Sequence, residues 1–231
     1  MLVDIFSSFD DHNQVFLSMY SLVWIFSVFI VVLFGTNFWV KTPQWAEVVF
    51  IFKDIISAQM FRSFGVNLGG FMGLISGIFL LLIFMNLIGL VPYVFSGTSH
   101  LAVSFSLGFP LWLSLIISGI VYMPKSTIAA LLPMGAPAVL NPFLILIETV
   151  SILVRPITLS VRLMANMSAG HIVLTLIGNY LTVSIFMIPS LNMFMLLSIQ
   201  VSYTIFEFGI SMIQAYIFCL LITLYSDEHP H

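Results

Sequence analysis

The sequence predicts an all-α polytopic membrane protein, with about five membrane-crossing helices plus one amphipathic surface helix. Three observations predict it. Of 231 residues, 61% are hydrophobic and only 6% charged, where a soluble domain carries roughly 25% charged residues. A chain of this size has too little interior to hide that much apolar surface from water. The apolar residues also fall in long unbroken runs rather than the alternating segments of about ten residues that build a transmembrane barrel. Finally, the few basic residues collect in particular connections between the runs. A soluble domain and a disordered chain are excluded. A net charge of −3 with no basic patch argues against a nucleic-acid partner.

The chain reads as a single membrane domain, 1–231. Asp4, Asp10 and Asp11 precede the first apolar run without a basic residue. That is neither a cleavable signal nor an Arg-rich transit peptide, so a retained first helix and synthesis in the membrane's own compartment are expected. The first span is 15–37, long enough for a core that needs about 20 residues. Segment 43–64 differs. Pro43 can open a helix, and Trp45, Val48, Val49, Phe52, Ile55, Ile56 and Met60 recur at helical spacing. Glu47, Lys53, Asp54 and Arg62 share the remaining surface, which suits a helix lying in the interface.

The second span is 69–90, where Gly69, Gly73 and Gly77 form a double small-xxx-small pattern that supports close helix packing. The third is 100–122. Pro124, Pro133, Pro137 and Pro142 follow, and a loop without continuous helix is expected there. The last two segments, 143–187 and 190–225, are too long to stand upright. At 1.5 Å per residue they would run about 67 and 54 Å, against a bilayer core of about 30 Å. A pair of long, steeply inclined helices joined near Ile188-Pro189-Ser190 accommodates them. Pro156 and Gly170 are the points where the first of these would kink.

Lys41, Lys53 and Arg62 lie between spans one and two, and Lys125 between spans three and four. The N-terminus, the 91–99 loop and the 188–190 turn carry no Lys or Arg. The positive-inside rule then places the N-terminus outside and the C-terminus, with Asp227 and Glu228, inside.

Chemistry concentrates in the two long helices. Glu148, Arg155 and Arg162 are spaced by seven and form one stripe, continued by Asn166. On the last helix Gln200, Glu207 and Gln214 are again spaced by seven, with Thr204 and Ser211 beside them. Charges at membrane depth cost several kcal/mol by insertion scales and commonly line aqueous paths or pair with partners. Blander readings stand beside this one. Gln200 and Gln214 serve equally as interhelical hydrogen-bonding glue. Glu148 and Arg155 lie near the inner end and can snorkel to the interface. Arg162 is some 20 residues into its segment, too deep to reach either surface easily, and needs an anionic partner or a water-filled cavity. His171 lies about 180° around the helix from Arg162, and a lone membrane histidine is as often a hydrogen-bonded core residue.

The stretch Arg162-Leu-Met-Ala-Asn166-Met-Ser-Ala-Gly170-His171 resembles the signature of subunit a of F-type ATP synthases in its mitochondrial form. Asn86-Leu-Ile-Gly-Leu-Val-Pro92, Ile147-Glu148-Thr149-Val150-Ser151 with Arg155-Pro156, and Gln214-Ala215-Tyr216-Ile217-Phe218 resemble three further stretches of that family. The likeness covers residues 70–226 in order and spacing, while the first 65 match only in layout. It implies a stator packed against a rotating ring of c subunits, each with a membrane carboxylate, and held with the peripheral stalk and other membrane-sector subunits among lipids. Protons would reach that ring by two offset half-channels.

Carried onto this sequence, Arg162 is the essential arginine. Asn166, His171, Glu207 and Gln214 fall in the outer half-channel and Glu148 towards the inner one. Arg155, Gln200 and Ser211 are weaker candidates, and Arg155 can equally sit at the inner surface. A permanently charged guanidinium favours the ionised rotor carboxylate and opposes a direct leak between the channels. His and carboxylate side chains suit proton relay near neutral pH. The implied location is the mitochondrial inner membrane. No cofactor or metal is expected. No G-x-x-x-x-G-K-[ST] loop occurs, so the chain is read as a non-catalytic subunit without its own nucleotide site. The competing readings are an ion-coupled secondary transporter, which commonly shows inverted repeats not found here, and a purely structural respiratory-complex subunit.

Overall fold

Apolar runs in a lipid solvent must satisfy every backbone amide internally, and the chain does so with helices. The computed structural model describes residues 9, 25, 27–29, 32, 44–91, 94, 96–132, 140–187 and 191–229. Among them, the α-helices are α1 (Gln44–Met60), α2 (Phe71–Gly89), α3 (Leu101–Tyr122), α4 (Pro124–Ala130), α5 (Asn141–Met187) and α6 (Leu191–Asp227). Short 3-10 turns at Phe64–Asn67 and Gly97–Ser99 sit in the connections. Among the described residues, four stretches are long and apolar enough to cross a membrane: Phe71–Gly89, Leu101–Tyr122, Asn141–Ile185 and Met193–Asp227. The expected first span, 15–37, lies outside the described residues except for helical residues 25, 27–29 and 32.

Two expectations need correction. The 123–142 connection is not a loop throughout. Pro124 opens the seven-residue α4, and Pro142 occupies the first turn of α5, where a missing amide hydrogen costs nothing. The helix expected over 43–64 ends at Met60, and the chain then turns into Phe64–Asn67. Among the described residues, no atom lies within 4 Å of where an added Cβ on Gly69, Gly73 or Gly77 would stand. Gly70 has a structural reason to be glycine, since its φ of 80° caps the start of α2.

Helix α6 runs through the middle of the bundle. Its Ala215, Phe218, Cys219 and Ile222 pack with Ile56 and Met60 of α1, Ile75, Phe79, Leu82 and Ile83 of α2, Leu111 of α3, and Leu159 and Leu163 of α5. Gly108 lets α3 approach α5, because a Cβ there would stand 3.1 Å from Leu159 Cδ2. Helix α5 continues without a break through Pro156 and Gly170 for 47 residues, about 70 Å at 1.5 Å per residue. Neither α5 nor the 37-residue α6 can stand upright within a core of about 30 Å.

Side-chain contacts mark the two ends of the bundle. At one end Asp227 Oδ1 accepts the Phe64 amide hydrogen at 2.8 Å, and His229 Nε2 lies 3.1 Å from Ser118 Oγ. The ends of α3 and α6 and the segment after α1 therefore meet on one side. At the other end the buried Ser96–Ser99 turn lies against α5, where Ser168 Oγ donates to the Ser99 carbonyl at 3.2 Å.

Candidate functional site

The polar stripes of α5 and α6 meet along an antiparallel seam. Asn166 Nδ2 donates to Gln214 Oε1 at 2.6 Å. One turn further along α5, Gly170 faces Glu207. A Cβ on Gly170 would collide with the Glu207 carboxylate, so that carboxylate occupies the space a side chain would fill. Glu207 is only 1% exposed and Gln214 3%. Ser211 lies between them, fully buried. Its hydroxyl donates to the Phe208 carbonyl, and its own carbonyl accepts from Asn86 Nδ2 of α2 at 3.1 Å. Buried polar groups normally find partners. Here Glu207 Oε1, His171 Nε2 and Asn86 Oδ1 are buried and make no hydrogen bond among the described residues.

His171 follows the glycine notch and is half-buried, with the ring of Phe9 edge-on at 6.3 Å between centroids. Gln200 lies two turns above Glu207, half-buried, its Oε1 also unpartnered among the described residues. The structure brings together Asn166, Gly170, Glu207, Ser211 and Gln214, and leaves Gln200 apart from them.

Arg162 is placed differently. Its side chain is exposed, on a flank of α5 shared with the exposed Ile157 and Val161, and it forms no ion pair among the described residues. It stands seven residues from Arg155 and six from Ser168, or about 10 Å and 9 Å along the helix. Arg162 therefore stands near the middle of α5, which runs from Asn141 to Met187. On α6, Ile205, Phe206 and Ile213 are also exposed among the described residues.

Glu148 and Arg155 lie at the end where α6 terminates. Arg155 Nη2 is 3.8 Å from Glu148 Oε1, and Arg155 Nη1 donates to Glu228 Oε2. Its guanidinium also lies 5.1 Å from the centre of the Tyr225 ring, within cation–π range. Glu228 and Tyr225 are site residues that the sequence reading missed. The sequence alone carries no signal for them, because the pairing follows from the helix register: Asn166 faces Gln214, and stepping eleven residues away along each antiparallel helix pairs position 155 with position 225. In the sequence Gly170 marks a point of bending and part of one matching stretch, and Asn86 part of another; neither shows what stands opposite.

A multi-helix membrane protein with an acid-and-amide seam buried between two long helices, and a guanidinium midway along one of them without an ion pair among the described residues, belongs to the class of ion-translocating membrane subunits. The family model described as "ATP synthase A chain" matches residues 15–227. The chain is 38% identical over 233 residues to ATP synthase subunit a of Artemia franciscana, covering 99% of this chain and 100% of that relative. It is 39% identical over 230 residues to the Albinaria caerulea protein of the same name, covering both in full, and 36% identical over 236 residues to that of Locusta migratoria, covering 99% of each. The chain belongs to the ATP synthase A chain family, the proton-translocating stator subunits of the membrane Fo sector.

Proposed function

We propose that the exposed flank of α5 and α6 is the face turned to the rotor ring, and that Arg162 is the fixed charge each rotor carboxylate meets there. The observation that carries this reading is the contrast between the two stripes: Glu207 and Gln214 are sealed in the helix seam while Arg162 stands open on an apolar surface. An isolated guanidinium midway along a membrane helix is costly unless an anion or water meets it. The rotor carboxylate supplies that anion. Because the guanidinium does not lose its proton, it holds the passing carboxylate ionised and keeps a proton from crossing directly between the two access paths.

The outer path runs through the Asn166, His171, Glu207 and Gln214 seam. Among the described residues, buried atoms of Glu207, His171 and Asn86 lack hydrogen-bond partners, which supports a hydrated route there. Glu148 serves the inner path. The whole chain acts as one membrane domain, with α1 lying on the inner surface and α5 and α6 steeply inclined, at roughly 65° from the normal if about 70 Å of helix is to fit a core of about 30 Å. The surrounding membrane is the mitochondrial inner membrane, with the N-terminus in the intermembrane space and the C-terminus in the matrix. That orientation rests on Lys53, Arg62 and Lys125 lying in segments near the end where α6 terminates. Besides the c ring, the peripheral stalk and neighbouring Fo subunits cover other faces.

The test is Arg162→Ala in the assembled, liposome-reconstituted ATP synthase, with Arg162→Lys beside it. Both are expected to abolish proton-driven ATP synthesis while the complex still assembles. Synthesis at the unsubstituted rate in Arg162→Ala would overturn the reading.

A further inference from the structure

The inner end of the bundle holds a charged cluster whose connectivity the proton path does not by itself require. Arg155 sits between two carboxylates from different parts of the chain. One is Glu228, just past the end of α6, with which it is directly hydrogen-bonded. The other is Glu148, two turns earlier in α5, at 3.8 Å. That second distance is beyond a hydrogen bond, so the guanidinium is committed to Glu228 and only near Glu148. Glu228 is not on a loose tail. On one side of it Asp227 accepts from the Phe64 amide, and on the other His229 pairs with Ser118. Gly65 fits beneath because it lacks a side chain, which would strike Ser226 Oγ. The Tyr225 ring closes another side of the guanidinium.

We propose that Glu228 is a positioning residue for the inner proton path: by holding Arg155, it keeps Glu148 free to exchange protons. The inference rests on the assignment of Glu148 to that path. With Glu228 neutralised, Arg155 keeps Glu148 as its remaining anionic neighbour among those it now contacts. A guanidinium fork and a carboxylate then form a direct charge-assisted pair. A carboxylate held in that way must break the pair before it takes a proton. The pair also matters for Arg162, which lies seven residues along the same stripe. With Arg155 neutralised by Glu228, Arg162 remains the cation offered to the rotor.

The experiment measures passive proton flux through Fo in liposomes holding the intact ATP synthase, with assembly checked by native electrophoresis. Glu228→Gln should lower flux by about tenfold, equivalent to about 1.4 kcal/mol. Glu228→Asp should retain most of the flux. The double variant Arg155→Gln with Glu228→Gln should recover flux, because no guanidinium is left to capture Glu148. A merely structural tie predicts the opposite, a double variant no better than the single one. Unchanged flux in Glu228→Gln, or no recovery in the double variant, overturns the proposal if Glu148→Gln is itself slow. Unchanged flux in Glu148→Gln overturns instead the assignment of Glu148 on which the proposal rests.

Discussion

Alanine at position 170 would place a methyl group where the Glu207 carboxylate now lies, in contact with both of its oxygens and Cδ. Either the helices separate or the carboxylate leaves the seam. Overpacking of a closed interface costs typically about 1–3 kcal/mol. Alanine regains about 1 kcal/mol of helix propensity over glycine, so the complex should assemble with a small net loss of stability. Function should suffer more. If the carboxylate holds its place only by meeting that cost, the active arrangement becomes roughly 5- to 150-fold less populated. The assay is proton-driven ATP synthesis and passive proton flux in liposomes, normalised to assembled complex. Gly178→Ala is the control on the same helix, since an added Cβ there meets nothing within 4 Å among the described residues, and it should leave both rates unchanged. Combining Gly170→Ala with Glu207→Asp, one methylene shorter, should restore part of the flux. Unchanged flux in assembled Gly170→Ala complex would refute the reasoning that the glycine notch seats the acid.

Two further outcomes are expected. Glu207→Gln keeps the shape of the side chain while removing its capacity to carry a proton as a carboxylate, so it should slow translocation with assembly largely intact; normal flux would remove Glu207 from the path. Asn166→Leu withdraws the donor that Gln214 Oε1 now accepts from at 2.6 Å. Interhelical hydrogen bonds in membranes average about 0.6 kcal/mol, so thermal stability should fall only slightly while flux falls clearly, and unchanged flux would show that the pair is packing glue.

Much of the architecture was legible in the order of residues because lipid is an undemanding solvent for pattern reading. Apolar runs of sufficient length must become helices, and α2, α3, α5 and α6 lie where the runs lie. Spacing by seven showed that Glu207 and Gln214 share one face of α6. Spacing on one helix cannot say what stands opposite. The Gly69, Gly73 and Gly77 stripe illustrates the limit: it had the pattern of a packing face and meets no helix among the described residues, whereas Gly108 and Gly170, without any such repeat, sit at the close approaches. Proline was over-read for a similar reason. Pro124 and Pro142 occupy first turns, and Pro156 is inside α5 without ending it, because an amide lost in one turn is tolerated when both neighbouring turns are held by packing.

By itself the sequence determined the solvent, the helical elements, the rarity of charge and, through its motifs, the family. Those properties are local, carried by composition and by the 3.6-residue period. Only the tertiary structure decided the register of α5 against α6. That register puts Glu207 into the notch at Gly170, turns Arg162 out onto an open flank, and brings Glu228 to Arg155 from 73 residues away. The physical reason is that register depends on the shapes of two helix surfaces fitted together, where one missing side chain decides which carboxylate is enclosed and which cation remains free.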